Sequence, residues 1–136
     1  KLVATYPYRY PEGRHDAEAL TVIDGAVHVI TKERGEKETI VYRFDDLREA
    51  QALGPGSVNV PRRVSTLEIG RRERVTAADY HAASGTVAVL TRHAVHRFAR
   101  ERLMGAPAAS TPLAAGQCEA LCFDQDRLVI ANELLR

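Results

Sequence analysis

The sequence predicts an all-β chain built from repeated antiparallel units of four short strands. Three observations predict it. First, three stretches lie over one another: residues 18–32 (EALTVIDGAVHVITK), 79–92 (DYHAASGTVAVLTR) and 119–133 (EALCFDQDRLVIANE). Second, each stretch carries turn chemistry before an apolar run (AVHVI, TVAVL, RLVIA) rich in Val and Ile, as strands are. Third, those runs are apolar at nearly every position rather than at alternate ones. That pattern requires both faces of a sheet to be covered.

Each stretch reads as a β-hairpin. Asp24-Gly25 and Ser84-Gly85 supply the glycine that accepts positive φ, and Asp124-Gln125-Asp126 marks the third turn. A third strand follows two of the hairpins, at residues 39–44 (TIVYRF) and 94–99 (AVHRFA), with V-Y-R-F matching V-H-R-F. An outer strand precedes each opening carboxylate. It is expected over residues 3–8, again at 64–69, and again at 109–113. Prolines such as Pro7 and Pro112 suit that edge position, where no ladder donor is needed. Residues 46–53 (DLREAQAL) are expected to form a short helix, with Asp46 as N-cap and Gly54 as its stop.

A unit of about 40 residues with four antiparallel strands is the pattern of a β-propeller blade. The expected units are 12–69, 70–113 and 114–136, all within one partial propeller domain, 1–136. The length of 136 residues gives about three blades. Closed propellers take about four to eight. The expectation is therefore an open arc of a larger propeller, completed by remaining blades of the same protein or by self-association.

The repeated segments, and above all the D-A-E-A-L opening at Asp16–Leu20 and the Q-x-E-A-L opening at Gln117–Leu121, resemble a group of bacterial propeller proteins. That group is loosely similar to esterase-like phytase and to other six- or seven-bladed families. The resemblance spans nearly the whole chain. It implies a propeller fold and an exported protein, periplasmic or extracellular. It implies no particular activity. The chain has no tryptophan, so WD-repeat and kelch signatures are absent, as is a G-x-S-x-G nucleophile motif.

Composition excludes several classes. Nineteen Lys and Arg against eighteen Asp and Glu give a net charge of +1, with no basic block, which argues against nucleic acid. No apolar run is long enough for a transmembrane helix. Cys118 and Cys122, four residues apart on a strand, are too far apart to bridge and are read as buried free thiols.

The candidate chemistry is carboxylate. Glu18, Asp79 and Glu119 open the three repeats and are expected at equivalent positions lining a central channel. With Asp16, which would share a strand face with Glu18, they are the candidate ligands for Ca²⁺, a cation that takes six to eight oxygens. The competing and preferred reading makes them structural caps on backbone amides. His15 and His81 are candidate ligands or bases, more simply packed or exposed residues. His28 and His96 are read as core histidines and His93 as solvated. Thr31, Lys32, Thr91, Arg92, Asn132 and Glu133 are expected in solvated loops, and Arg71, Arg72, Glu73 and Arg74 in a charged turn. Tyr6, Tyr8 and Tyr10 alternate along one strand face and should pack against a neighbouring blade. The functional expectation is a binding or scaffold module. The alternative is a metal-dependent hydrolase of lactonase, phosphoesterase or phytase-like type.

Overall fold

A computed structural model describes residues 3–33, 37–70, 72–114 and 117–132. The fold is all-β. Strands β1 (Ala17–Ile23), β2 (Ala26–Thr31), β3 (Thr39–Arg43) and β4 (Arg62–Leu67) form one antiparallel meander. Strands β5 (Val75–His81), β6 (Thr86–Thr91), β7 (Ala94–Ala99) and β8 (Ala109–Pro112) form a second. Strands β9 (Cys118–Asp124) and β10 (Arg127–Asn132) form a two-stranded third sheet. We call these the first, second and third sheets. No helix among the described residues is long and apolar enough to cross a membrane.

The turns form where the sequence places them. Asp24 and Gly25 join β1 to β2 with φ of 49° and 79°. Both angles lie in the left-handed region that a two-residue hairpin turn needs. Gln125 does the same work in the third hairpin, with φ of 53°.

The sheets stack face to face. Each has two faces, fixed by the alternation of side chains along the strand. Call the right face the one that carries Ala19, Ile23 and Ile30 in the first sheet. It packs on Ala78, Val87, Val89 and Phe98, the left face of the second sheet. The right face of the second sheet, with Ala77, Ala88, Leu90 and Val95, packs on Leu121, Phe123, Leu128 and Ile130, the left face of the third. The first strands β1, β5 and β9 lie side by side along the stack. This explains the continuously apolar β6: Val87, Ala88, Val89 and Leu90 are all fully buried, alternately against two different sheets.

A loop after β7 locks the first two sheets together. Glu68 N–H donates to Gly105 O at 2.7 Å, Gly105 N–H donates to Thr66 O at 2.8 Å, and Ser65 Oγ donates to Leu103 O at 2.5 Å. These bonds satisfy the outer edge of the first sheet, which would otherwise be open to pairing.

Two expected elements differ. Residues 3–8 form no sheet strand. Their ladder contact is one isolated parallel bridge, Tyr8 with Asn59, supported by Asn59 N–H to Pro7 O at 2.9 Å. Pro7 and Pro11 cannot donate, so a longer ladder is blocked. The helix expected over 46–53 shrinks to one 3₁₀ turn, Ala50–Ala52, with no side-chain cap. Asn59 is the physical reason. Its Oδ1 accepts Arg48 N–H at 2.8 Å, and its Nδ2 donates to Arg48 O and Pro7 O. Asp46, the expected cap, instead accepts from Arg48 Nε at 2.7 Å.

Candidate functional site

The three repeat carboxylates are not equivalent in the structure. Each first strand carries a register shift near its start, leaving one extra residue. That residue is Glu18 in β1, Thr76 in β5 and Glu119 in β9. Asp79 lies three positions further along, opposite Ala88. The four-residue turn at 82–85 replaces the two-residue turn of the first hairpin and moves the sequence match out of phase. Thr76 Oγ1 donates to Cys118 O at 2.8 Å, joining two neighbouring first strands at their irregularities.

Each candidate ligand has another partner or place. Glu18 forms an ion pair with Lys32. Asp79 Oδ2 accepts Phe123 N–H from the third sheet at 2.7 Å, and its Oδ1 accepts Tyr80 N–H at 2.9 Å. Glu119 is half-buried at the shift in β9. Asp16 lies outside β1, and its backbone carbonyl accepts Lys32 N–H at 2.8 Å. Because Glu18 is the extra residue, strand alternation does not put Asp16 and Glu18 on one face. No group of three or more His, Cys, Asp or Glu suited to a metal occurs among the described residues.

Polar residues at the ends of β2 and β6 are buried, against the expected solvated loops. Thr31 and Thr91 are fully buried, and Lys32 and Glu33 nearly so. The two threonines do one job: Thr31 Oγ1 accepts Ile40 N–H at 2.9 Å, and Thr91 Oγ1 accepts Ala94 N–H at 3.1 Å. Arg92 is half-buried, Asn132 is exposed, and Glu133 and Arg71 fall outside the described residues. Over Lys32 and Glu33 lies the chain leading into β1. There His15 Nδ1 is 2.5 Å from Glu33 Oε1, and its Nε2 is 3.1 Å from Tyr42 Oη, which donates to Glu12 Oε2 at 2.7 Å. Burial, then Glu12, raises the Tyr42 phenol above its ordinary value. Tyr10 packs on both His15 and Tyr42, and Tyr8 on Phe44. Tyr8 and Tyr10 thus cover β3, while Tyr6 turns to Glu49.

The other histidines are structural in placement. His81 stacks on Phe123 at 4.9 Å across the second and third sheets. His96 hydrogen-bonds Ser110 Oγ at 2.9 Å, and its Nε2 is buried without a hydrogen-bond partner. His93 is exposed, as its sequence context implied. Cys118 is buried, but Cys122 is exposed, because the right face of the third sheet carries no covering layer among the described residues.

A cleft lies at the other end of the strands, where the Asp24-Gly25 turn of the first sheet meets the loop after β7. Its volume is about 460 Å³, within the size range of small-molecule sites. Ile23, Val64, Leu103 and Met104 form its apolar lining. Asp24 ties its rim together: both carboxylate oxygens accept Arg100 Nη1, at 3.0 and 2.9 Å, and Tyr80 Oη donates to Oδ1 at 3.2 Å. Tyr80, Glu101 and Asp24, in that order, hold the Arg100 guanidinium above its ordinary pKa. His28 lines the cleft with its Nδ1–H donated to Ala26 O at 2.9 Å. Burial is the main cause that lowers its pKa, so the ring is neutral and Nε2 is an acceptor. Arg43 Nε lies 3.0 Å from Asp45 Oδ1, so its guanidinium is ion-paired where it lines the cleft.

Asp24 and Arg100 were invisible as partners in the sequence, being 76 positions apart. Asp24 carried only a turn signal. Searches against protein-family models, curated proteins and solved structures found no match for this chain.

Proposed function

We propose that this chain is a β-propeller-type binding module: three stacked blades, the last of two strands, acting as a scaffold that presents a small-ligand cleft. The reading includes the larger exported bacterial propeller that the sequence motifs resemble, to which these blades would belong. One observation carries the propeller reading. Right face meets left face twice in the same sense, with the first strands side by side. Blades of a propeller repeat in that way around a central axis.

The cleft supports binding rather than turnover. It offers an apolar floor, the Arg43 guanidinium, which is ion-paired with Asp45, and a neutral His28 acceptor. Its arginines are balanced by Asp24 and Glu101, so its ligand is a small amphipathic molecule rather than a polyanion. The test is a ligand screen read by thermal shift and by amide chemical-shift mapping. Ligands should raise the melting temperature and perturb the cleft residues, and Met104→Ala with Arg43→Ala should weaken binding about tenfold or more. Perturbations confined to other surfaces, or hydrolysis of ester or phosphoester substrates by the pure chain, would overturn the reading.

A further inference from the structure

The cleft between the Asp24-Gly25 turn and the loop after β7 carries a polar atom that the fold leaves free. Thr21, His28 and Arg43 stand opposite one another on β1, β2 and β3. They form a polar row on the right face of the first sheet, beside apolar Ile23, Ile30 and Val41. A carbonyl only accepts, so the bond from His28 to Ala26 O places the ring proton on Nδ1. Nε2 then keeps a bare lone pair, with no hydrogen-bond partner among the described residues. The charges around it are matched. Asp24 and Glu101 hold Arg100, and Asp45 faces Arg43 Nε. Ser65 Oγ is used as well, donating to Leu103 O.

We propose that the ligand of this cleft is a neutral hydroxyl compound, an alcohol or phenol on an apolar body, whose O–H donates to His28 Nε2. The inference rests on the binding reading of the same cleft. A hydroxyl fits because it donates and accepts at once. Its proton meets the His28 lone pair. Its oxygen faces Arg43, the cross-strand neighbour, which keeps further N–H donors beyond Nε. An ether oxygen has no proton to give. A carboxylate would sit among Asp24, Asp45 and Glu101, and an ammonium beside Arg43 and Arg100, so each meets like charge. The same contact makes binding depend on pH. Facing His28 are Asp24 from the turn, Arg43 and Asp45 from the end of β3, and Arg100 and Glu101 from the loop after β7. Tyr80 of β5 reaches Asp24 on the rim. Burial holds the ring below its ordinary pKa, so Nε2 is an acceptor near neutral pH. Protonation turns Nε2 into a donor and removes the ligand's partner. Affinity is therefore full above about pH 6.5 and falls as pH drops through the folded pKa. By reciprocity, the bound ligand lowers that pKa further.

The test uses the full chain and two probe pairs, phenol with anisole and cyclohexanol with its methyl ether. Binding is read from amide and histidine-ring chemical shifts. Each hydroxyl probe should perturb the cleft residues and bind about tenfold more tightly than its ether, the value of one good hydrogen bond. A preference shown by only one pair supports the inference and assigns the class to phenols or to alcohols. Saturating cyclohexanol should lower the His28 pKa while exposed His93 titrates unchanged. His28→Leu should remove the preference for hydroxyl over ether. His28→Gln keeps an acceptor oxygen, so it should retain the preference and lose the pH dependence. If His28→Leu fails to fold, the glutamine variant and the ring titration decide. Equal affinity of hydroxyl and ether within the cleft would overturn the inference and leave the binding cleft standing. So would a preference that survives His28→Leu, or a His28 pKa indifferent to saturating cyclohexanol. Probes that leave every cleft residue unperturbed would overturn the binding reading itself, and this inference with it.

Discussion

Replacing Asp79 with alanine should loosen the third sheet from the second. The carboxylate is the group that caps Phe123 N–H, at 2.7 Å, on the edge of β9 facing away from β10. It also accepts Tyr80 N–H at 2.9 Å. A hydrogen bond to a charged acceptor contributes about 1.5–3 kcal/mol net. Asp79 is half-buried, which places the expected loss near the middle, about 2 kcal/mol. The chain has 136 residues, so its unfolding entropy near the midpoint is about 0.29 kcal/mol/K at roughly 2.1 cal/mol/K per residue. A loss of about 2 kcal/mol then lowers the melting temperature by about 7 °C. Asp79→Asn keeps an acceptor oxygen without the charge and should recover about half of the loss. Urea and thermal unfolding followed by tyrosine fluorescence and circular dichroism measure both variants. An Asp79→Ala variant within about 0.5 kcal/mol of wild type would refute the capping role. So would an Asp79→Asn variant as damaged as the alanine variant.

Further outcomes follow from the same packing. Phe98→Ala removes a fully buried ring from between the first and second sheets and should cost about 3–5 kcal/mol by urea denaturation. Thr91→Val removes the acceptor for Ala94 N–H in a buried turn and should cost about 1–3 kcal/mol, against less than about 0.5 for the exposed Thr111→Val. Burial lowers the pKa values of His28 and His96, the second partly offset by Glu73. Their folded values lie below the unfolded value of about 6.5. As pH falls below that value, the unfolded chain takes up protons first, so unfolding becomes easier. Stability is therefore full above about pH 6.5 and declines as pH falls toward the folded values. His96→Gln should flatten that decline in a pH series of unfolding curves.

Local signals in the sequence carry the strands and turns. The Asp-Gly turn, the continuously apolar β6 and the V-x-R-F third strands depend on neighbours close in sequence, and all reappear in the fold. What the sequence hides depends on distant partners. The segment at 46–53 has helical composition, but Asn59 binds the Arg48 backbone from outside and holds it open. Residues 3–8 have strand-like alternation, yet they meet their neighbour through a single bridge. Charged Lys32 reads as solvated in the sequence, yet it and Glu33 are buried because the chain before β1 crosses over them. Asp79 resembled Glu18 and Glu119 only while turn lengths were ignored. The cleft was illegible because its rim joins a turn of one sheet to Arg100 of another.

The stacking order of the sheets is tested most directly by methyl and aromatic nuclear Overhauser contacts in solution. Ile30 methyls should give contacts to Val87 and Val89, and Leu90 methyls should give contacts to residues of the third sheet such as Leu128 and Ile130. Contacts from Ile30 to Leu90, or from Val89 to Ile130, would place the opposite faces together and contradict the repeated stack.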